Sequence, residues 1–214
     1  RFWWRISLAL ALGVATATAV ITGALLVGDS MRGSLAELTI ERLGRTESMV
    51  APQGFFDATT VVREGIDPVP LIFFPTGVAE HKRSEGAVSR AGSVQVIGID
   101  DDFWELDSLG VRPEELPGED GVVINASAAA ELGVKRGDLI TIRLPAEQAV
   151  PADSPLGRRD SQSEGLPRMK VLSVIEDRGL GRFSLSPSQA APQNIYVSRN
   201  VIADVLDRQG QANM

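Results

Sequence analysis

From Ile6 to Val27 the chain reads ISLALALGVATATAVITGALLV, 22 residues without a charge, Pro, Asn or Gln. As an α-helix rising 1.5 Å per residue such a run reaches about 33 Å, enough to cross a hydrocarbon core of about 30 Å. Ten of its residues are Leu, Ile or Val, each contributing about −0.3 to −0.6 kcal/mol near the helix centre, and no central charge opposes insertion. Trp3 and Trp4 stand where an interfacial aromatic belt would lie, and Arg1 and Arg5 precede the span, which predicts a cytoplasmic N-terminus. Arg32, Arg42 and Arg45 beyond the span weaken that charge bias. A cleaved secretory signal is the rival reading. Against it, the run exceeds the usual apolar core of about 7 to 15 residues, and its small residues are not gathered at a cleavage site.

The 187 residues after Val27 suffice for one sizeable domain or two small ones. Without Arg1 and Arg5 this part holds 19 Lys and Arg against 28 Asp and Glu, a formal charge of −9. Such a balance disfavours nucleic acid or an anionic lipid surface as the main partner. The absence of cysteine excludes a disulfide framework, a lipid-modified cysteine and thiolate metal sites together.

Directly after the span, GDSMRGSLAELTIERLG has no Pro and sets Met31, Leu35, Leu38 and Leu43 mostly on one face. Either the helix continues outward as a stalk of about 24 Å, or a separate short helix packs on the outer domain. Gly44 is the expected stop. Ser48–Ala51 then reads as a short strand and Phe56–Gly65 as a helix. Leu71–Ala79 reads as a strand that Pro75 confines to an edge or a bulge, and Ser93–Asp100 as another, with the polar HKRSEGAVSRAG as the loop between them.

GVVINASAAAELGVKRGDLITIRL is the most legible segment, because each junction has its own local chemistry. Gly121–Ile124 forms a strand, Asn125 caps a helix over Ala126–Leu132, Gly133 ends it, and Arg136-Gly137-Asp138 turns the chain into the strand Leu139–Leu144. Met169–Glu176 and Asn194–Ser198 are two further strands, and an amphipathic helix carrying Val201, Ile202, Val205 and Leu206 follows. Between two of the strands, residues 145–167 form a polar loop with four prolines, long enough to be functional or disordered. No internal repeat is apparent.

Chemistry-bearing motifs are sparse. His81 is the single histidine, so a multi-histidine metal site is impossible; its charged neighbours Lys82 and Arg83 read it as a solvated loop residue. The sequence has no Walker A, HExxH or GxSxG motif. Asp100, Asp101, Asp102, Glu105 and Asp107 lack the ligand spacing of a calcium loop and read as a solvated strand end, with Phe103 and Trp104 as a core plug. RGLGRFS around Gly179 and Gly181 resembles a phosphate loop but opens no helix, and reads as a turn. Two stripes of small residues at four-residue spacing, Ala9, Gly13, Ala17 and Ala15, Ala19, Gly23, would allow a second transmembrane helix to approach closely. Gly13, Ala17, Ala19 and Gly23 are thus the helix-packing candidates. Asp153, Ser154, Leu156, Arg158 and Arg159 in the polar loop are the partner-binding candidates.

The order of these pieces resembles the MacB-like periplasmic core domain of ABC transporter permeases, the group of macrolide exporters, lipoprotein-release permeases and FtsX. The span with GDSMRGSLAELTIERLGR, the strand VQVIGIDDDFW and above all GVVINASAAAELGVKRGDLITIRL carry the resemblance. It implies an α+β fold class: one N-terminal transmembrane helix (1–27), a stalk (28–45) and a mixed α+β extracytoplasmic domain (46–214). It further implies a permease portion in the cell (inner) membrane, preceding three more spans, that couples ATPase-driven helix movement to the outer domain. The implied partners are a cytoplasmic ABC ATPase, other transmembrane helices of the same permease or of a homodimer partner, and an extracytoplasmic partner or substrate. No cofactor, metal or catalytic residue is expected. The alternatives are a membrane-anchored binding or scaffolding module and, less favoured, a membrane-tethered hydrolase using His81.

Overall fold

The computed structural model describes residues 3–52, 54–61, 67–83, 86–145, 165–186 and 190–214. It divides into two compact units, Arg1–Ile40 and Glu41–Met214. The first is formed by a single helix, α1, whose full extent is Trp4–Leu43. Its apolar residues are exposed, from Leu8 and Leu10 to Leu25 and Leu26, and by length and composition it is able to cross a membrane. The helix therefore continues past Val27 to Leu43 without a break, and Gly28 and Gly33 do not interrupt it.

The second unit is an α+β domain. Its strands are β1 (Phe56–Asp57), β2 (Ile72–Lys82), β3 (Val88–Ile99), β4 (Gly121–Asn125), β5 (Leu139–Arg143), β6 (Met169–Ile175), β7 (Asn194–Ser198) and β8 (Gln211–Ala212), with helices α2 (Ala126–Leu132) and α3 (Arg199–Val205). β2 to β7 close into a barrel in the order β2-β3-β7-β4-β6-β5, and β1 pairs with β8 beside it. Alternation sorts the side chains into two cores. Val94 and Val96 of β3, Val122 and Ile124 of β4, and Ile195 and Val197 of β7 point inward; with Ile72, Ile140, Ile142, Met169 and Val171 they fill the barrel, against Leu132 of α2 and Ile202 of α3. Ile97, Val123 and Tyr196 point outward into a second core, covered by Phe103, Trp104, Leu180 and Phe183. Both faces of β4 are thus buried, which is why GVVI is a continuous apolar run rather than an alternating one.

The barrel has an internal twofold pattern. A hairpin (β2-β3), a 3-10 turn (Asp101–Leu106), a strand (β4, 5 residues) and a helix (α2, 7 residues) are followed by a second hairpin (β5-β6). A 3-10 turn (Gly179–Arg182), a strand (β7, 5 residues) and a helix (α3, 7 residues) complete the second set. The pairings obey the exchange: β3 runs parallel to β7 and β6 parallel to β4, while β2 pairs antiparallel with β5 and β4 with β7. The two halves also brace each other alike. Asp177, after β6, accepts hydrogen bonds from Ser127 N and Oγ (3.2 and 2.7 Å) in the first turn of α2. Asp100, after β3, receives Arg199 of α3 at 2.7 Å. The sequence itself shows no repeat; the repetition lies in connectivity and strand pairing.

The capping chemistry is as read: Asn125 Oδ1 accepts from Ala128 N at 3.0 Å and Gly133 closes α2 in the left-handed region. Pro75 lies at a register shift between Phe74 and Gly77, a bulge against β3 in the part of β2 that precedes its pairing with β5, which begins at Val78. Three expectations fail. Ser48–Ala51 forms no strand, having no partner strand to complete its hydrogen bonds. Phe56–Gly65 is not a helix where described: Phe56–Asp57 pairs with β8, and a 3-10 turn covers Ala58–Val61, where Asp57 accepts from Thr59 N and competes with helical bonding. HKRSEGAVSRAG is mostly strand, since β2 and β3 pair as far as Lys82 and Val88. Cross-strand pairing outweighs its polar composition because one side of a barrel strand faces water.

Candidate functional site

The last turn of α1 belongs to the barrel unit, and its residues converge on the two 3-10 turns that cover the outer core. Leu43 packs on that core beside Leu106. Gly44 adopts φ +58°, where a side chain is strained, and a Cβ there would collide with the Leu106 carbonyl oxygen. Glycine is required on both counts. Arg45 N donates to Leu106 O at 2.8 Å, and the Arg45 guanidinium donates to Glu105 O. These contacts fix the helix exit to the first 3-10 turn.

Glu41 and Arg42 reach the second turn. Glu41 Oε1 accepts from Gly179 N at 3.3 Å, and Arg42 Nη1 donates to Ser186 O at 3.1 Å. Arg42 is 3% exposed. Burial, with Arg182 nearby, pulls its guanidinium below the ordinary arginine value, only partly offset by Glu41.

Asp107 joins the two turns. Its Oδ2 accepts from Leu109 N and Val111 N at 2.8 and 2.7 Å, and its Oδ1 from Leu180 N at 2.8 Å. A carboxylate holding three backbone donors supplies strong, charge-assisted bonds. Gly179, at φ +50°, is as constrained as Gly44: a Cβ there would meet Asp107 Oδ1. Beneath the turns, Asn194 donates through Nδ2 to Phe183 O (2.8 Å) and to the Tyr196 hydroxyl (2.9 Å), which in turn donates to Leu180 O. Burial holds Tyr196 far above the usual phenol value, so it stays neutral. Asn125 Nδ2 adds bonds to Gly181 O and Pro192 O at 3.1 and 2.6 Å. The polar network locks the second turn onto β7 and β4.

The acidic cluster is therefore not merely a solvated strand end: Asp101 and Asp102 head the turn, Glu105 lies near its end, Asp100 braces α3, and Asp107 is a buried tie. Phe103 and Trp104 form the expected core plug, at 0 and 4% exposure. RGLGRFS is a 3-10 turn whose glycines are demanded by close packing against Asp107 and the Glu176 carbonyl. His81 lies in β2, its Nδ1 3.0 Å from Leu139 O, and not in a loop. Gly13, Ala17, Ala19 and Gly23 lie on α1, and a Cβ added at Gly13 or Gly23 would meet nothing within 4 Å. Asp153, Ser154, Leu156, Arg158 and Arg159 fall outside the described residues. Sequence reasoning missed Asp107 as a tie and Glu41 and Arg42 as anchors. Asp-Ser-Leu-Gly at 107–110 carries the Asx-turn signature that could have marked the first; nothing local marks the others, whose partners are more than a hundred positions away.

Residues 7–209 match the family model of the MacB-like periplasmic core domain, which spans both units. No curated protein matches the chain.

Proposed function

Because the chain belongs to the MacB-like periplasmic core domain family of ABC transporter permeases, we propose that it couples ATP-driven movement of transmembrane helices to its extracytoplasmic barrel. One observation carries this reading: α1 runs unbroken from Trp4 to Leu43, its last turn is bonded to the second 3-10 turn of the barrel through Glu41, and Arg45 just beyond its end is bonded to the first. A helix without a hinge transmits displacement instead of absorbing it. In this reading the apolar part of α1 packs through Gly13, Ala17, Ala19 and Gly23 on further spans, which a separate cytoplasmic ATPase moves. The barrel stands outside the membrane and carries out no covalent chemistry, and residues 153–159 contribute to partner binding.

The sequence contains no cysteine, so a single one placed at Ser186 reports on the anchored turn alone. Tagged full-length protein purified from native membranes is expected to retain an ATP-binding subunit. ATP with vanadate is then expected to change the labelling rate of Ser186→Cys, and inserting Gly-Pro-Gly after Gly33 to abolish that change. Loss of the ATP-binding subunit under mild detergent refutes the assembly; a labelling rate indifferent to ATP refutes the coupling.

A further inference from the structure

Residues 211–214 act as a short strap along the start of β2. Leu71 N donates to Met214 O at 2.9 Å, and Leu71 O accepts from Met214 N at 3.2 Å and from Asn213 N at 3.0 Å. The Asn213 carboxamide then does for Phe73 what the main chain of a neighbouring strand would do: its Oδ1 accepts from Phe73 N at 2.7 Å and its Nδ2 donates to Phe73 O at 3.0 Å. Phe73 stands opposite Ile97 of β3, and a strand residue directs both its main-chain groups to one side. The strap therefore lies on the edge of β2 away from β3, the edge that β5 covers from Val78 to His81. Its other side is paired with β1 through Gln211 and Ala212.

The strap is tied back to the helix exit. Arg199 binds Asp100 Oδ2 through Nε and Nη2 at 2.7 and 2.6 Å, and its Nη1 reaches Gln211 O in the strap at 3.5 Å. Asp100 immediately precedes the 3-10 turn Asp101–Leu106, and at the far end of that turn Arg45 holds Leu106 O and Glu105 O. Between the two holds, Phe103 and Trp104 are buried in the outer core. Six residues of 3-10 helix span about 12 Å. An element of that length, plugged at its middle and held at both ends, passes a tilt imposed at one end to the other. Leu43 and Met214 pack against the same outer core, so helix exit and strap share that support as well.

We propose that the first 3-10 turn is a rocker between the exit of α1 and the strap, so that displacement at Arg45 changes how firmly Asn213 holds the start of β2. Asn213 is the positioning residue for Phe73, and Arg199 is the link through which the turn reaches the strap. The relay from Arg45 to Asn213 stands independently of the proposed function; that movement of α1 by an ATPase drives it rests on that reading.

The Phe73 amide, bonded to the Asn213 side chain, is the reporter, because its hydrogen exchange follows local opening of the strap. The test uses the full chain in detergent, with exchange resolved to that amide by fragmentation mass spectrometry. Asn213→Ala is expected to speed exchange at Phe73 at least tenfold; an unchanged rate overturns the strap. Arg199→Met, which keeps the apolar stem and removes the guanidinium, is expected to speed it at least threefold. Asp177→Ala, the loss of the corresponding brace in the other half of the barrel, is expected to alter it less than twofold, and an effect equal to that of Arg199→Met overturns the specific link. Arg45→Ala removes the bond to Glu105 O and is expected to speed exchange at Phe73 at least threefold in the parent chain but less than twofold in the Arg199→Met background. A silent Arg45→Ala, or an equal effect in both backgrounds, overturns the relay, since independent sites add. No ATPase is present in these measurements, so their failure is distinct from failure of ATP-dependent labelling at Ser186.

Discussion

Gly44 and Asp107 decide the joint for opposite reasons, one by lacking a side chain and the other by the bonds its side chain makes. Placing a Cβ at Gly44 costs about 1 kcal/mol or more for the left-handed backbone and forces the Leu106 carbonyl aside. Gly44→Ala is therefore expected to lower the stability of the barrel unit by about 2 kcal/mol, measured by urea unfolding. Gly92→Ala, at a position with ordinary φ and open space, is expected to stay within about 0.5 kcal/mol; equal effects at the two sites would refute the close approach. Gly44 as the helix stop was legible, since glycine after an apolar helical pattern has one common use. Its contact with Leu106 was not, because that depends on where residues sixty positions apart meet. Asp107 shows the same limit: its turn is local and readable, whereas its bond to Leu180 N belongs to the tertiary structure.

Elements were legible wherever their signals were local. Asn125, the Ala-rich run and Gly133 define α2 with caps that need no distant partner, and α3 follows its amphipathic pattern. Strands were legible where both faces are buried, as in β4 and β7, and under-read where one face is wet, as in the outer ends of β2 and β3. His81 was misplaced for that reason: flanked by charges it looks like a loop residue, yet it pairs with Ser89 on one side and Ile140 on the other. The reciprocal braces belong to this scale. Removing the Asp177 carboxylate (Asp177→Ala) takes away two bonds at the start of α2 and is expected to cost about 1 to 2 kcal/mol. Asp100→Ala strands the partly buried Arg199 and is expected to cost a similar amount. Because the two braces share no partner, the double variant should equal the sum within about 0.5 kcal/mol. Thermal or denaturant unfolding of the four proteins measures this, and a silent Asp177→Ala would deny the symmetry any energetic content.

For the whole molecule the apolar run outranks everything else in the chain. An arginine at its centre costs about 2.5 to 3.5 kcal/mol of insertion free energy, so Ala15→Arg is expected to lower the fraction of molecules whose first helix inserts, read by glycosylation or protease mapping of the segment after Val27. The barrel, a separate unit from Glu41 onward, should keep its protease resistance. An epitope fused before Arg1 and found on the mature protein separates a retained span from a cleaved signal; its loss supports the signal reading.

The sequence alone determined the span, the helical stalk pattern, the caps and turns around α2 and the α+β class, because hydropathy, periodicity and capping are properties of neighbouring residues. Tertiary structure alone decided that the strands close into a barrel, that its halves repeat, and that Glu41, Arg42, Gly44 and Asp107 meet at one joint. Those facts rest on hydrogen bonds and packing between segments distant in sequence, which no local pattern encodes.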